Sequence, residues 1–122
     1  MKTYREILVW QKAMDFVTII YKRTRHFPNE ELYGLTNQIR RSAISIPSNI
    51  AEGFGRRSSP DFKRFLQISM GSPFEVQTQL EIAKNLEYIE ENVFNELFQE
   101  SREIERMLTA FIESIKKTPE KL

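Results

Sequence analysis

The 122 residues include no cysteine, which rules out a disulfide framework and a thiolate metal site and suits a reducing compartment. Histidine occurs once, at His26. Di-metal sites in helical bundles draw a Glu-x-x-His pair from each of two helices, and Arg23 stands three positions before His26, so that site cannot form. With no cysteine and the single histidine in a turn, there is also no nucleophile and base pair. The expectation is a non-enzyme without metal, cofactor or catalytic residues. No stretch approaches the roughly 18 uninterrupted apolar residues of a membrane span. The apolar stretch after Lys2 and Arg5 is broken by Gln11, Lys12 and Asp15, which makes a poor signal peptide. These absences point to a cytoplasmic protein with no membrane partner.

What the chain does have is apolar spacing of three and four. Trp10, Met14, Val17 and Tyr21 form one stripe, and Val9, Ala13, Phe16 and Ile20 a second beside it. Together they make an arc wider than one core-facing helix needs, so part of this helix, predicted over about 5–24, seeks a further partner or is deeply embedded. Pro28 ends it, and Asn29 is placed to cap a second helix running to about Gly53. Ser58 or Ser59 ahead of Pro60 caps a third, whose stripe is Phe62, Leu66, Ser69, Pro73, Val76, Leu80 and Ala83. A fourth, over about 91–116, carries Phe94, Leu97, Ser101, Ile104, Leu108, Phe111 and Ile115. No strand alternation appears. The prediction is one all-α domain over 1–122, an antiparallel up-and-down four-helix bundle with proline bends at Pro47 and Pro73 and a frayed tail at 117–122.

The segment from Gln38 to Ser59, QIRRSAISIPSNIAEGFGRRSS, combines a buried seam with two arginine pairs. Ile39, Ala43, Ile46, Ile50 and Gly53 keep helical spacing, whereas Ser42, Ser45, Ser48 and Asn49 are small where better helix formers would otherwise stand. Small residues allow another backbone or a ligand to come close. The serines read as packing groups or hydroxyls bonded back to the helix rather than catalysts. The run Gly53 to Ser58 lacks both the P-loop lysine and a preceding strand, so it is not a nucleotide loop. Glu52, four residues before Arg56, is placed for a helical ion pair.

Charge is divided along the chain. Residues 1–64 hold twelve Lys and Arg against six Asp and Glu, and residues 65–122 hold six against eleven. Opposite halves can attract each other within or between subunits, or the basic half can present a face to phosphate. Arg40, Arg41, Arg56, Arg57, Lys63 and Arg64 are the candidate nucleic-acid contacts, because the planar guanidinium fork suits phosphate. The alternative is ion pairing with the Glu-rich last helix of a neighbouring subunit.

Three segments, WQKAM at 10–14, YGLTNQIRRSAISIPSNIAEG at 33–53 and FLQISMGSPFEVQTQL at 65–80, carry a resemblance over nearly the whole chain. They resemble the four-helix-bundle family of 23S rRNA-intervening sequence proteins, relatives of the accessory variability determinants of diversity-generating retroelements. The resemblance implies a bundle that assembles as a homopentamer and acts with RNA or DNA, or as an accessory protein to a nucleic-acid enzyme such as a reverse transcriptase. Trp10, Ser42, Ser45, Pro47, Asn49, Glu52 and Gly53 are the candidate structural-motif and oligomer-interface residues. The combined reading is a non-enzymatic homo-oligomer that binds nucleic-acid backbone through clustered arginines. The rival is an adaptor that docks a protein partner.

Overall fold

In a computed structural model, the structure describes residues 1–117, with side-chain environments through 115. The expected tail therefore lies outside the described residues except for the backbone of Lys117. Four helices follow one another, α1 Leu8–Arg23, α2 Leu35–Phe54, α3 Ser59–Asn85 and α4 Glu91–Lys117, and the described residues contain no strand. Most of the predicted stripe residues form the core, the exception being the Trp10, Met14, Val17 and Tyr21 stripe of α1, in which Met14 and Tyr21 are exposed. Val9, Ala13, Phe16 and Ile20 of α1, Ile39, Ala43, Ile46 and Ile50 of α2, Leu66, Val76 and Leu80 of α3, and Leu97, Ile104 and Leu108 of α4 are all buried. Burying each large side chain is worth about 1.5–3 kcal/mol before ordering entropy.

Pairings across the helices show how they run. Ser45 meets Ser72, Ser69 bonds to the Ile46 carbonyl, and Gly53 lies against Phe62 and Phe65, so α2 and α3 pass in opposite directions. Lys84 against Phe94, Gln77 against Glu105 and Phe62 against Phe111 show the same for α3 and α4. Neither Pro47 nor Pro73 ends its helix, and both are buried.

The helix starts differ from expectation because local turn chemistry intervenes. Tyr4–Glu6 is a separate 3-10 turn, closed by a capping box in which Glu6 accepts from the Thr3 amide at 3.2 Å, and the same carboxylate accepts from the Lys2 amide at 2.6 Å. Those two bonds hold the Glu6 carboxyl below its ordinary pKa, the Lys2 amide contributing most. Asn29 does not cap α2 but opens a second 3-10 turn, Asn29–Glu31. The chain then breaks at Gly34, and the Glu31 carboxylate accepts from the Leu35 amide at 3.2 Å, taking the capping role. Ser58 caps α3 as expected, accepting from the Asp61 amide at 3.2 Å. At its other end, Glu87 sits at φ 64°, a left-handed position that glycine usually fills. The Glu87 amide reaches the Lys84 carbonyl and the Tyr88 amide reaches that of Ala83, both at 2.9 Å, which closes the last turn.

Candidate nucleic-acid interface

The six basic residues fall into two groups separated by roughly 20 Å of helical rise along α2. Arg40 is half-buried and committed to α1: its Nε donates to Thr24 Oγ1 at 2.9 Å and its guanidinium lies 4.5 Å from the centre of the Tyr21 ring. This ties the start of α2 to the end of α1. Arg41, one position on, is exposed and has no partner among the described residues.

The second group surrounds the turn between α2 and α3. Arg56 pairs with Glu52 at 3.2 Å, the helical pair expected from their spacing, and its guanidinium lies 4.5 Å from the Phe65 ring centre. Arg64 lies 4.8 Å from the same ring centre and reaches Asp61 only at 3.7 Å. Phe65 is thus a platform that brings two like charges together, an arrangement that water and salt only partly screen. Arg57 is exposed beside them and Lys63 is half-buried. The turn also precedes the α3 N-terminus, where the helix dipole favours an anion. The platform was not anticipated in the sequence; the signal was the placement of Asp61, Arg64 and Phe65 within one turn.

The small-residue segment has two faces. One is consumed inside the chain: Ser42 and Gly53 are buried, the Ser45 and Ser72 hydroxyls bond to each other, and Ser69 Oγ donates to the Ile46 carbonyl at 3.0 Å. A Cβ on Gly53 would stand 2.6 Å from the Phe65 Cβ, so only glycine lets α3 approach this closely. Asn49 Nδ2 donates back to the Ser45 carbonyl at 2.8 Å. The other face is a shallow groove of about 310 Å³ between α1 and α2, lined by Trp10, Met14 and Val17 on one side and Ile44, Pro47 and Ala51 on the other. Trp10 is braced there by Tyr4, ring centres 5.0 Å apart. The stripe of Trp10, Met14, Val17 and Tyr21 on α1 is therefore not embedded in the core.

The charge asymmetry is partly resolved within the bundle. Lys12 bridges Glu100 and Glu103, and Arg23 pairs with Glu96 at 3.1 Å, so α1 and α4 are joined by opposite charges. Among the described residues, none of the six candidate contacts takes part in those pairs. No group of three or more His, Cys, Asp or Glu able to hold a metal occurs among the described residues, and no described helix is long and apolar enough to cross a membrane.

A family model described as 23S rRNA-intervening sequence protein matches residues 5–110. Among solved structures, a protein of unknown function from the S23 ribosomal protein family of Bacteroides thetaiotaomicron VPI-5482 is similar, with a TM-score of 0.80 and 27% identity. The alignment covers 87% of this chain and 96% of that one. No curated protein matches the chain.

Proposed function

The chain belongs to the 23S rRNA-intervening sequence protein family, and from that premise we propose a non-enzymatic homo-oligomeric bundle that binds the phosphate backbone of RNA or DNA. The contacts are concentrated at the α2–α3 turn. The observation that carries this reading is the Phe65 platform, where Arg56 and Arg64 lie within 5 Å of one ring centre and Arg57 is exposed alongside. A phosphate between two guanidinium groups relieves their repulsion and takes up donors that Glu52 and Asp61 leave free. Phe65 is buried beneath the arginines, and Phe54 and Phe62 pack on each other and against the core, so recognition is of backbone rather than sequence. Assembly multiplies the effect by repeating the turn in every copy.

The test is the affinity of the purified protein for unrelated single-stranded and duplex oligonucleotides as salt is raised. Affinity should fall steeply with salt, and Arg56→Gln with Arg57→Gln should weaken all sequences alike and flatten the log–log slope by roughly 1–2. Binding that is absent or indifferent to salt favours the rival reading, in which the basic turn docks an acidic protein surface such as that of a reverse transcriptase.

A further inference from the structure

Gly71 stands in the middle of the unbroken helix α3, exposed, and a Cβ added there would meet nothing within 4 Å among the described residues. Glycine in a helix interior costs about 1 kcal/mol relative to alanine. Among the described residues nothing explains it, in contrast to Gly53. On the same outward face stand Ile68, Phe74 and Glu75, within about one turn of Gly71, and Ile82, three turns on; the three apolar ones are 48%, 47% and 43% exposed. This is an apolar ridge with a flat spot at Gly71 and a carboxylate, Glu75, that has no partner among the described residues.

On another face lies the α1–α2 groove, and at its edge stands Arg41, equally unpartnered and one turn from Ile44. The two features share a height along the bundle. Ser45 and Ser72 touch and so define one level. Moving from Ser45 to Arg41 along α2 covers about 6 Å of rise, and moving from Ser72 to Glu75 along the antiparallel α3 covers about 4.5 Å in the same direction. By the same measure Gly71 stands level with the groove between Ile44 and Ser48. A second copy rotated about an axis parallel to the bundle keeps every height. It therefore brings ridge to groove and Glu75 to Arg41 without any slip.

We infer that the α3 outer face of one copy seats in the α1–α2 groove of a second copy, with Gly71 admitting the neighbouring α2 backbone and Glu75 pairing with Arg41. The two surfaces differ, so the contact is head-to-tail and repeats from copy to copy, closing when the rotation permits. This rests on the homo-oligomeric part of the proposed function and narrows it. Arg41 serves the protein contact, and the nucleic-acid role falls to the arginines of the α2–α3 turn.

Sedimentation of the full chain without nucleic acid, at micromolar concentration, tests the inference separately from phosphate binding. The wild-type chain should be multimeric. Gly71→Leu, which has open space in the subunit and a better helix former, should keep or raise helicity yet weaken self-association about tenfold or more. Arg41→Glu and Glu75→Arg should each do the same by setting like charges opposite each other, and the double variant should recover the wild-type size. A multimer unaffected by Gly71→Leu and by both reversals would place the contact elsewhere and overturn the inference. So would single reversals that dissociate the assembly without recovery in the double variant. A monomeric wild-type chain would overturn both the inference and the homo-oligomeric premise, while the Arg56 and Arg57 salt slopes would still decide phosphate binding.

Discussion

The α2–α3 and α1–α4 seams belong to the same bundle but are held by different physics. Between α2 and α3 the helices approach until a single Cβ would not fit, and the polar atoms at the contact, Ser45, Ser69 and Ser72, bond across it. Between α1 and α4 the inner stripe still packs, but long side chains span the rim, with Lys12 reaching Glu100 and Glu103 and Arg23 reaching Glu96. At the chain's amino end this second seam opens into an apolar recess of about 440 Å³ lined by Ile7, Val9, Met107 and Phe111, among others. The first seam is specified by shape and the second by charge. Shape resists small changes of side-chain volume and ignores salt, whereas charge tolerates volume and responds to salt and pH.

The largest expected effect lies in the shape-specified seam. Gly53→Ala puts a methyl 2.6 Å from the Phe65 Cβ, an atom fixed to backbone, so α3 must move. Overpacking of this kind costs about 1–3 kcal/mol, part of which alanine's better helix propensity offsets. A urea or thermal melt should show net destabilisation independent of salt. Because Phe65 carries Arg56 and Arg64, the same variant should also weaken oligonucleotide binding. A neutral Gly53→Ala would mean that the seam is looser than its geometry and would break the contrast. Ser69→Ala is the next step down: losing the buried bond to the Ile46 carbonyl should cost about 1 kcal/mol, again without salt dependence.

The seam governed by shape was also the more legible in sequence. The spacing of Ile39, Ala43, Ile46, Ile50 and Gly53 announced a buried stripe, and every one of these residues is buried. The small residues beside it imply close approach, and Ser45, bonded to Ser72, has α3 of the same chain as the reason. Periodicity carries this because core burial imposes the helical repeat directly. It does not carry contacts between side chains farther apart in sequence, so the Lys12 bridge and the approach of Arg56 to Phe65 required the fold. Nor does it carry turn chemistry: Asn29 looked like a cap, but Glu31 does that work, and Glu87 takes a left-handed position without being glycine. Nor does it mark Gly71, where α3 is unbroken and no described residue lies where a Cβ would stand.

The smallest effect, and the sharpest test of the contrast, lies in the charge-specified seam. Lys12→Gln removes the ammonium between Glu100 and Glu103; with side chains 24%, 30% and 53% exposed, such pairs are worth only about 0.5 kcal/mol. The loss should appear in dilute buffer and vanish near 1 M salt, where screening acts over about 3 Å. pH gives an independent handle. The hydrogen bond to Glu100, chiefly, holds the Lys12 pKa above its ordinary value, outweighing the smaller opposing effect of partial burial. A group whose pKa is raised by folding contributes fully below its unfolded-state pKa and loses that contribution as pH rises through the folded one. The wild-type chain should therefore lose this increment only under strongly alkaline conditions. Lys12→Gln should lack that loss, and near neutrality the two stability curves should run parallel. Tyr88, whose hydroxyl donates to Glu31 at 2.9 Å and whose pKa that bond also raises, titrates in the same alkaline direction, so the Lys12 increment is read as the difference between the two chains. If Gly53→Ala proves as sensitive to salt as Lys12→Gln, the two seams are not held by different physics after all.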